Sequence, residues 1–312
     1  MIFALLLAFQ MRGISVARDS TVWASSQRGV VIHSTDQGAS WRTDTIVAAR
    51  TFDLRGIAGV DRLTAHAMVA AQDTGRIFVT HDGGRTWRLE YDDTRKGVFF
   101  DAIALWSAKD LIVLGDPIGH VFTVLVSHDS GAHWTPVHPP PVLPGEGAFA
   151  ASNTCLITGP NGGAWFVTGG SSTVARIFHT SDYGVHWTVT NLPLVAGNAA
   201  SGAFSVAFRG RQGIVVGGDY AVPDSSRPNV VLTSDGGATW TLGVEAGAVP
   251  YLSAVAPFNT GWIATGTRGT WTSRDGHNWA RADTVAYNAI AITPTHAILL
   301  GTKVERIGDP TR

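Results

Sequence analysis

Six copies of one short turn recur along the chain, five reading Ser/Thr-x-Asp-x-Gly-x-x-Trp and the sixth degraded, and no other feature constrains the fold as strongly. They occupy residues 34–41, 80–87, 127–134, 180–187, 233–240 and 272–279. The five intact boxes carry Asp36, Asp82, Asp129, Asp182 and Asp235, closed by Trp41, Trp87, Trp134, Trp187 and Trp240. The sixth has Arg274 where an aspartate is expected, ahead of Trp279. Successive tryptophans lie 46, 47, 53, 53 and 39 residues apart. Self-similarity at such a period means repeated units that each bury a face against their neighbours.

Each box reads as a hairpin turn. The aspartate can accept N–H groups two residues on, the glycine takes a positive φ, and the tryptophan opens the next strand and packs between sheets. Apolar, β-branched runs precede the boxes, as in Arg76-Ile77-Phe78-Val79 and Arg176-Ile177-Phe178-His179. Two further strands precede each of these, as in Phe100–Leu105 and Asp110–Leu114 of the third unit. Four strands per unit at a period of about 40–50 residues describe a β-propeller blade. We therefore expect an all-β chain of four-stranded antiparallel blades, with the box turns between strands three and four.

After Trp279 come three more strand-like runs, at residues 287–292, 296–300 and 303–307. Seven blades follow if the apolar segment 2–9 supplies a closing strand, leaving no open sheet edge; six blades plus a remnant is the alternative. One propeller domain spanning 1–312 is expected. The segment 1–9 reads equally as the remnant of a signal peptide, and it is shorter than the ~20 residues that span a bilayer.

Net charge is −1 and charged residues make up 15%, below the usual ~25%. No basic face for nucleic acid is expected, and weakly charged surfaces suit docking onto another protein. Cys155, the only cysteine, lies in an apolar run and reads as a buried thiol. Most of the eleven histidines fall in or beside boxes, so they recur with the repeat rather than at metal-ligand spacing. With no Gly-x-Gly-x-x-Gly between strand and helix, no cofactor and no metal are expected.

The boxes resemble the Asp-box (bacterial neuraminidase) repeat. The chain is also similar to bacterial Asp-box propellers, through Phe99–Ile103, Gly115-Asp116-Pro117, residues 143–152 and Gly217–Tyr220. More distantly it resembles the photosystem II stability/assembly factors, which implies a non-catalytic seven-bladed propeller that binds membrane-complex components. The resemblance implies a periplasmic or extracytoplasmic home; a cytoplasmic one stays open.

Propeller geometry places the loops between strands two and three, and those between blades, opposite the box turns. Long Gly/Pro-rich stretches of that kind, 115–120, 139–147, 169–173 and 217–229, mark loops that carry function. They bring Asp116, Glu146, Asp219 and Tyr220 toward one channel end. Arg12 and Arg55 begin the inner strands of blades one and two in matched Arg-Gly-Ile contexts, and Asp101 holds the equivalent place in blade three. These seven are the candidate ligand or partner residues. They read equally as turn-capping acids and Arg–Asp pairs lining a channel. The expected function is a binding or scaffold propeller, an accessory or assembly subunit of a larger, membrane-bound complex. The alternative is a sialidase-like glycosidase using Glu146, Asp116, Asp219 and Tyr220 (or Tyr251). A third matched arginine and the Phe/Tyr-Arg-Ile-Pro signature of sialidases are missing.

Overall fold

A computed structural model describes residues 10–225, 227–244 and 249–308. The chain forms seven antiparallel sheets set in a ring, a seven-bladed β-propeller. Blade one holds β1 (Met11–Val16), β2 (Val22–Ser26), β3 (Val30–Ser34) and β4 (Arg42–Thr45); blade two holds β5 (Leu54–Gly59), β6 (Ala65–Val69), β7 (Gly75–Thr80) and β8 (Arg88–Asp93). Blade three holds β9 (Phe100–Leu105), β10 (Leu111–Ile118), β11 (Val121–Ser127) and β12 (Thr135–Val137). Then come β13 (Glu146–Gly147) and blade four, with β14 (Leu156–Thr158), β15 (Ala164–Val167), β17 (Ala175–Thr180) and β18 (Thr188–Leu192), while β16 (Gly169–Gly170), between β15 and β17 in the chain, joins another sheet. Blade five holds β19 (Ser201–Arg209), β20 (Gln212–Asp219), β21 (Val230–Thr233) and β22 (Thr241–Leu242). Blade six holds β23 (Ala254–Phe258), β24 (Gly261–Gly266), β25 (Gly269–Ser273) and β26 (Trp279–Asp283); blade seven holds β27 (Tyr287–Ile292), β28 (His296–Gly301) and β29 (Val304–Gly308).

Burial is deepest in the middle strands of a blade and falls at its outer edge. All of β2, β6 and β24 is buried, whereas β4, β22 and β26 carry the exposed residues. Inner strands packed on both faces read as near-continuous apolar runs, and outer strands are polar. Three strands of blade seven lie within the described residues; the closing strand expected from 2–9 falls outside them. The ring nonetheless meets itself there. Asn288 Nδ2 donates to the Met11 carbonyl at 3.0 Å, and Thr295 Oγ1 donates to Gln37 Oε1 at 2.7 Å.

The boxes are the turns between strands three and four, and their wiring differs from the simplest expectation. In boxes one to five the aspartate accepts from the residue four along, not two: Ser40 N at 2.8 Å for Asp36 and Thr86 N at 2.9 Å for Asp82. The Ser/Thr hydroxyl accepts the glycine N–H, and Trp41, Trp87, Trp187, Trp240 and Trp279 donate to the box glycine's carbonyl. The sixth box has lost a residue rather than its acid. Asp275 accepts from Asn278 N, three along, at 2.8 Å, and Gly276 donates to Ser273 Oγ at 2.9 Å. Arg274 is the spacer before the aspartate, so the expected Asp-to-Arg replacement is corrected to a one-residue deletion.

Each box glycine also seats on the preceding blade. A Cβ on Gly38 would stand 2.8 Å from Ile298 of blade seven; one on Gly84 would meet Asp44 and Trp23 of blade one; one on Gly276 would meet Leu232 and Ile214 of blade five. The repeat thus supplies both the turn and the joint between neighbouring sheets.

Several stretches expected as loops are strand. β10 continues to Ile118, leaving Gly119 and His120 as its turn, and β20 runs through Asp219. Gly169-Gly170 forms β16, which with β13 extends the blade-five sheet to six strands. That join needs glycine: a Cβ on Gly169 would lie 2.6 Å from the Ser201 carbonyl and 2.8 Å from Phe149.

Candidate functional site

A recurring backbone irregularity builds the channel mouth opposite the boxes. Near the start of five inner strands one extra residue breaks the pairing. In β5, Leu54 opposes Val69 and Gly56 opposes Met68, leaving Arg55 as the extra residue. The same step falls at Arg12-Gly13 in β1, Asp101 in β9, Phe204 in β19 and Asn288 in β27. A bulge turns its side chain out of the ladder. One structural position, repeated around the ring, therefore presents two guanidiniums, a carboxyl, a phenyl and an amide.

The cations meet over a single acid. Arg55 Nε donates to Asp53 Oδ2 at 2.9 Å, and Arg12 Nε stands 3.8 Å from the same oxygen. Arg55 also donates to the Ala150 carbonyl at 3.4 Å. Arg12 Nε and Asp53 Oδ1 are buried without a hydrogen-bond partner. Burial, then the neighbouring Arg55 charge, lower the Arg12 pKa, with Asp53 and Tyr251 opposing. Two guanidiniums against one carboxylate leave a net positive charge at the mouth.

Asp101 is 1% exposed and neither of its oxygens has a partner among the described residues. Burial, reinforced by Asp116 and opposed by Arg55, pushes its carboxyl well above the ordinary range. Asp116 is raised too, by burial, though the Ala148 N–H at 3.1 Å holds its Oδ1.

An aromatic shelf adjoins these charges. Phe149 stacks on Phe204 with centroids 3.9 Å apart, Tyr251 stands edge-on to Phe204 at 4.9 Å, and Tyr220 sits 6.4 Å from Tyr251. Tyr220 is 50% exposed. Burial, then Tyr220, push the Tyr251 phenol upward while the Arg12 charge draws it back, which joins the shelf to the cations. Asp116 and Phe149 also line a cleft of about 680 Å³ that runs past Pro117, His120, Leu143 and Ser171.

Two expected site residues are committed elsewhere. Glu146 was expected to project toward the channel end, but its carboxylate is closed by the Arg176 guanidinium (Nε to Oε1 at 2.9 Å, with Nη2 on Oε2), Thr168 Oγ1 at 2.6 Å and Leu143 N at 2.8 Å. Asp219 caps its own turn, accepting from Ala221 N at 2.9 Å and from Asn198 Nδ2 at 2.9 Å. Arg12, Arg55, Asp101, Asp116 and Tyr220 fall together around the mouth. Asp53, Phe149, Phe204 and Tyr251 complete the arrangement. Of these Tyr251 was named from the sequence only as an alternative nucleophile, and Phe204 carried a readable signal, the bulge position it shares with Arg55. Asn153 is a further addition: it accepts from Ile103 N at 2.9 Å and donates to the Ile57 and Ile103 carbonyls, pinning two inner strands at their midpoints.

No protein family matches the chain by sequence, and no curated protein matches it. Solved structures do. The chain is similar to YCF48 from Cyanidioschyzon merolae, with a TM-score of 0.69 and 12% identity over 97% of each chain. It is similar to YCF48 bound to a D1 peptide, with a TM-score of 0.67 and 13% identity over 96% of this chain and 92% of that one. A GH74 enzyme from Niastella koreensis gives a TM-score of 0.58 and 15% identity, over 97% of this chain and 44% of that one. At these identities the likeness is one of fold.

Among the described residues no three His, Cys, Asp or Glu side chains converge as a metal site. No helix of the described residues is long and apolar enough to cross a membrane.

Proposed function

We propose that the chain is a non-catalytic binding propeller whose channel mouth takes a carboxylate-bearing segment of a partner polypeptide. The observation that carries this is the Arg12–Arg55 pair over one acid, Asp53, beside a half-exposed tyrosine. Guanidiniums in low dielectric hold carboxylates by bidentate, charge-assisted bonds. Phe149 and Tyr220, backed by the buried Phe204 and Tyr251, offer an apolar seat to the adjoining side chain, and the 680 Å³ cleft gives the chain room to continue. One structurally similar propeller has a peptide bound, and peptide capture here is in keeping with that.

The glycosidase reading would need Glu146, Asp116, Asp219 and Tyr220 as a reacting set. Arg176 and the 219–222 turn engage two of those acids, so they are not poised for proton transfer. The sequence resemblance to assembly-factor propellers, with the Asp-box repeats it rests on, extends the proposal. The chain serves as an accessory or assembly subunit of a larger membrane-associated complex, in an extracytoplasmic compartment.

A peptide array displaying each sequence as free acid and as C-terminal amide tests the core of this. We expect retention of free-acid or Asp/Glu-bearing peptides, and loss of at least about tenfold in affinity, ~1.4 kcal/mol, in Arg55→Gln. Equal retention of acids and amides that lack acidic side chains, undiminished in Arg55→Gln, would refute it. Co-purification from gently solubilised membranes tests the larger role; a chain that always runs free would count against it.

A further inference from the structure

Near the two cations, the mouth holds a pair of acids that the binding reading does not use. Asp101, on β9, is wholly buried with both oxygens unpartnered among the described residues. The bulge turns it out of the sheet ladder at the same ring position as Arg12 and Arg55. The ionisable groups that influence it come from three other elements. Asp116 stands on β10, Arg55 on β5, and the buried Cys155 just ahead of β14. Beyond Arg55 lie Asp53, Arg12 and Tyr251. Burial keeps Cys155 as a thiol and Tyr251 as a phenol, so the carboxyl pair is the variable charge.

The arithmetic of the cluster depends on that pair. Arg12 and Arg55 less Asp53 leave one positive charge. One ionised member of the Asp101–Asp116 pair brings the sum to zero, and both ionised make it negative. An incoming carboxylate is attracted in the first case and repelled in the last. Charges this close and this dry are weakly screened.

We propose, on the footing of the peptide-binding reading above, that carboxylate binding at this mouth is coupled to proton uptake by the Asp101–Asp116 pair, so that affinity for the partner segment rises as pH falls. The ligand's negative charge favours the protonated pair, and by linkage the protonated pair favours the ligand. This makes Asp101 a group that sets the conditions of binding without touching the ligand. Burial raises both carboxyls and the Asp116 charge raises Asp101 further, so the pair takes up a proton more readily than free carboxyls do.

Isothermal titration of a free-acid peptide selected on the array tests this, run from pH 5 to pH 9 in buffers of differing ionisation enthalpy. We expect net proton uptake on binding. Affinity should weaken with rising pH, approaching about tenfold per unit where the pair ionises. Asp101→Asn should flatten the profile and bind more tightly than wild type at the alkaline end. Asp116→Asn should flatten it in part, and serves alone if Asp101→Asn does not fold. Binding without proton uptake, or a wild-type profile that both folded variants reproduce, overturns the coupling and leaves the peptide site standing. No binding at any pH, for wild type and variants alike, overturns the peptide site and the coupling together.

Discussion

Arg176 and Glu146 show what a single buried pair does for this fold. The guanidinium lies over the Phe178 ring at 4.8 Å and reaches the Pro141 carbonyl at 3.0 Å, while its partner acid holds Leu143 N and Thr168. One ion pair thus ties the 139–147 segment to blade four. Glu146→Gln leaves a buried guanidinium without its counter-charge, and we expect about 3–5 kcal/mol of destabilisation by urea unfolding. Asp101 should behave in the opposite sense. Its folded pKa is raised, so its contribution is complete below the unfolded value near 3.8 and is lost as pH rises through the folded value. Asp101→Asn should therefore raise the melting temperature at pH 8 and change it little at pH 4. A variant less stable than wild type at pH 8 would show that Asp101 is paired in a way the geometry lacks. The sequence marked Asp101 through its register with Arg12 and Arg55. It could not reveal that Glu146 is paired with Arg176, which lies 30 residues away and reads as part of an ordinary strand.

At the scale of the element, the boxes were legible because a turn with fixed φ signs and a side-chain capping network demands particular residues at particular spacings. Their hydrogen bonds hold the aspartates below the ordinary range. Asp82 stands at about 2, chiefly through the Thr86 hydroxyl and N–H, and Asp129 and Asp182 stand at about 2, chiefly through the N–H groups of His133 and His186. Depressed acids give stability that is present above pH ~4 and lost as pH falls toward 2. A wild-type acid-unfolding curve should steepen in that window, and Asp82→Asn should flatten it. Two glycines of the boxes separate backbone from packing. Gly236, the spacer just before the box glycine Gly237, has a φ of +81° with open space around its missing Cβ, whereas a Cβ on the box glycine Gly131, at +88°, would meet the buried Glu90 carboxylate at 2.5 Å. We expect Gly236→Ala to cost about 1–2 kcal/mol and Gly131→Ala ~1–3 kcal/mol more, read by chemical denaturation. Equal costs would mean that the box does not seat on the neighbouring blade. The inner-strand bulges, by contrast, left no periodic residue signature. Arg, Asp, Phe and Asn fill them, because what recurs is an extra residue rather than a chemistry.

For the whole molecule, the ring rather than any one sheet is the folding unit. Ile298 of blade seven is fully buried against blade one, where Gly38 seats on it. Ile298→Ala should cost about 2–5 kcal/mol and lower the unfolding midpoint of the entire chain in one transition, since a gap at one joint loosens both blades beside it. Seven blades could be read from six boxes and three trailing strands. The ligand end could be read only as a face, because a propeller's face is set by topology while its mouth is set by side chains brought together from distant repeats. If a partner polypeptide meets the face opposite the boxes, a photo-crosslinking amino acid placed at Tyr220 on that face should capture an array-selected peptide, and one placed separately at the exposed Val185 within a box should not. Capture at 185 with none at 220 would put the partner on the box face instead.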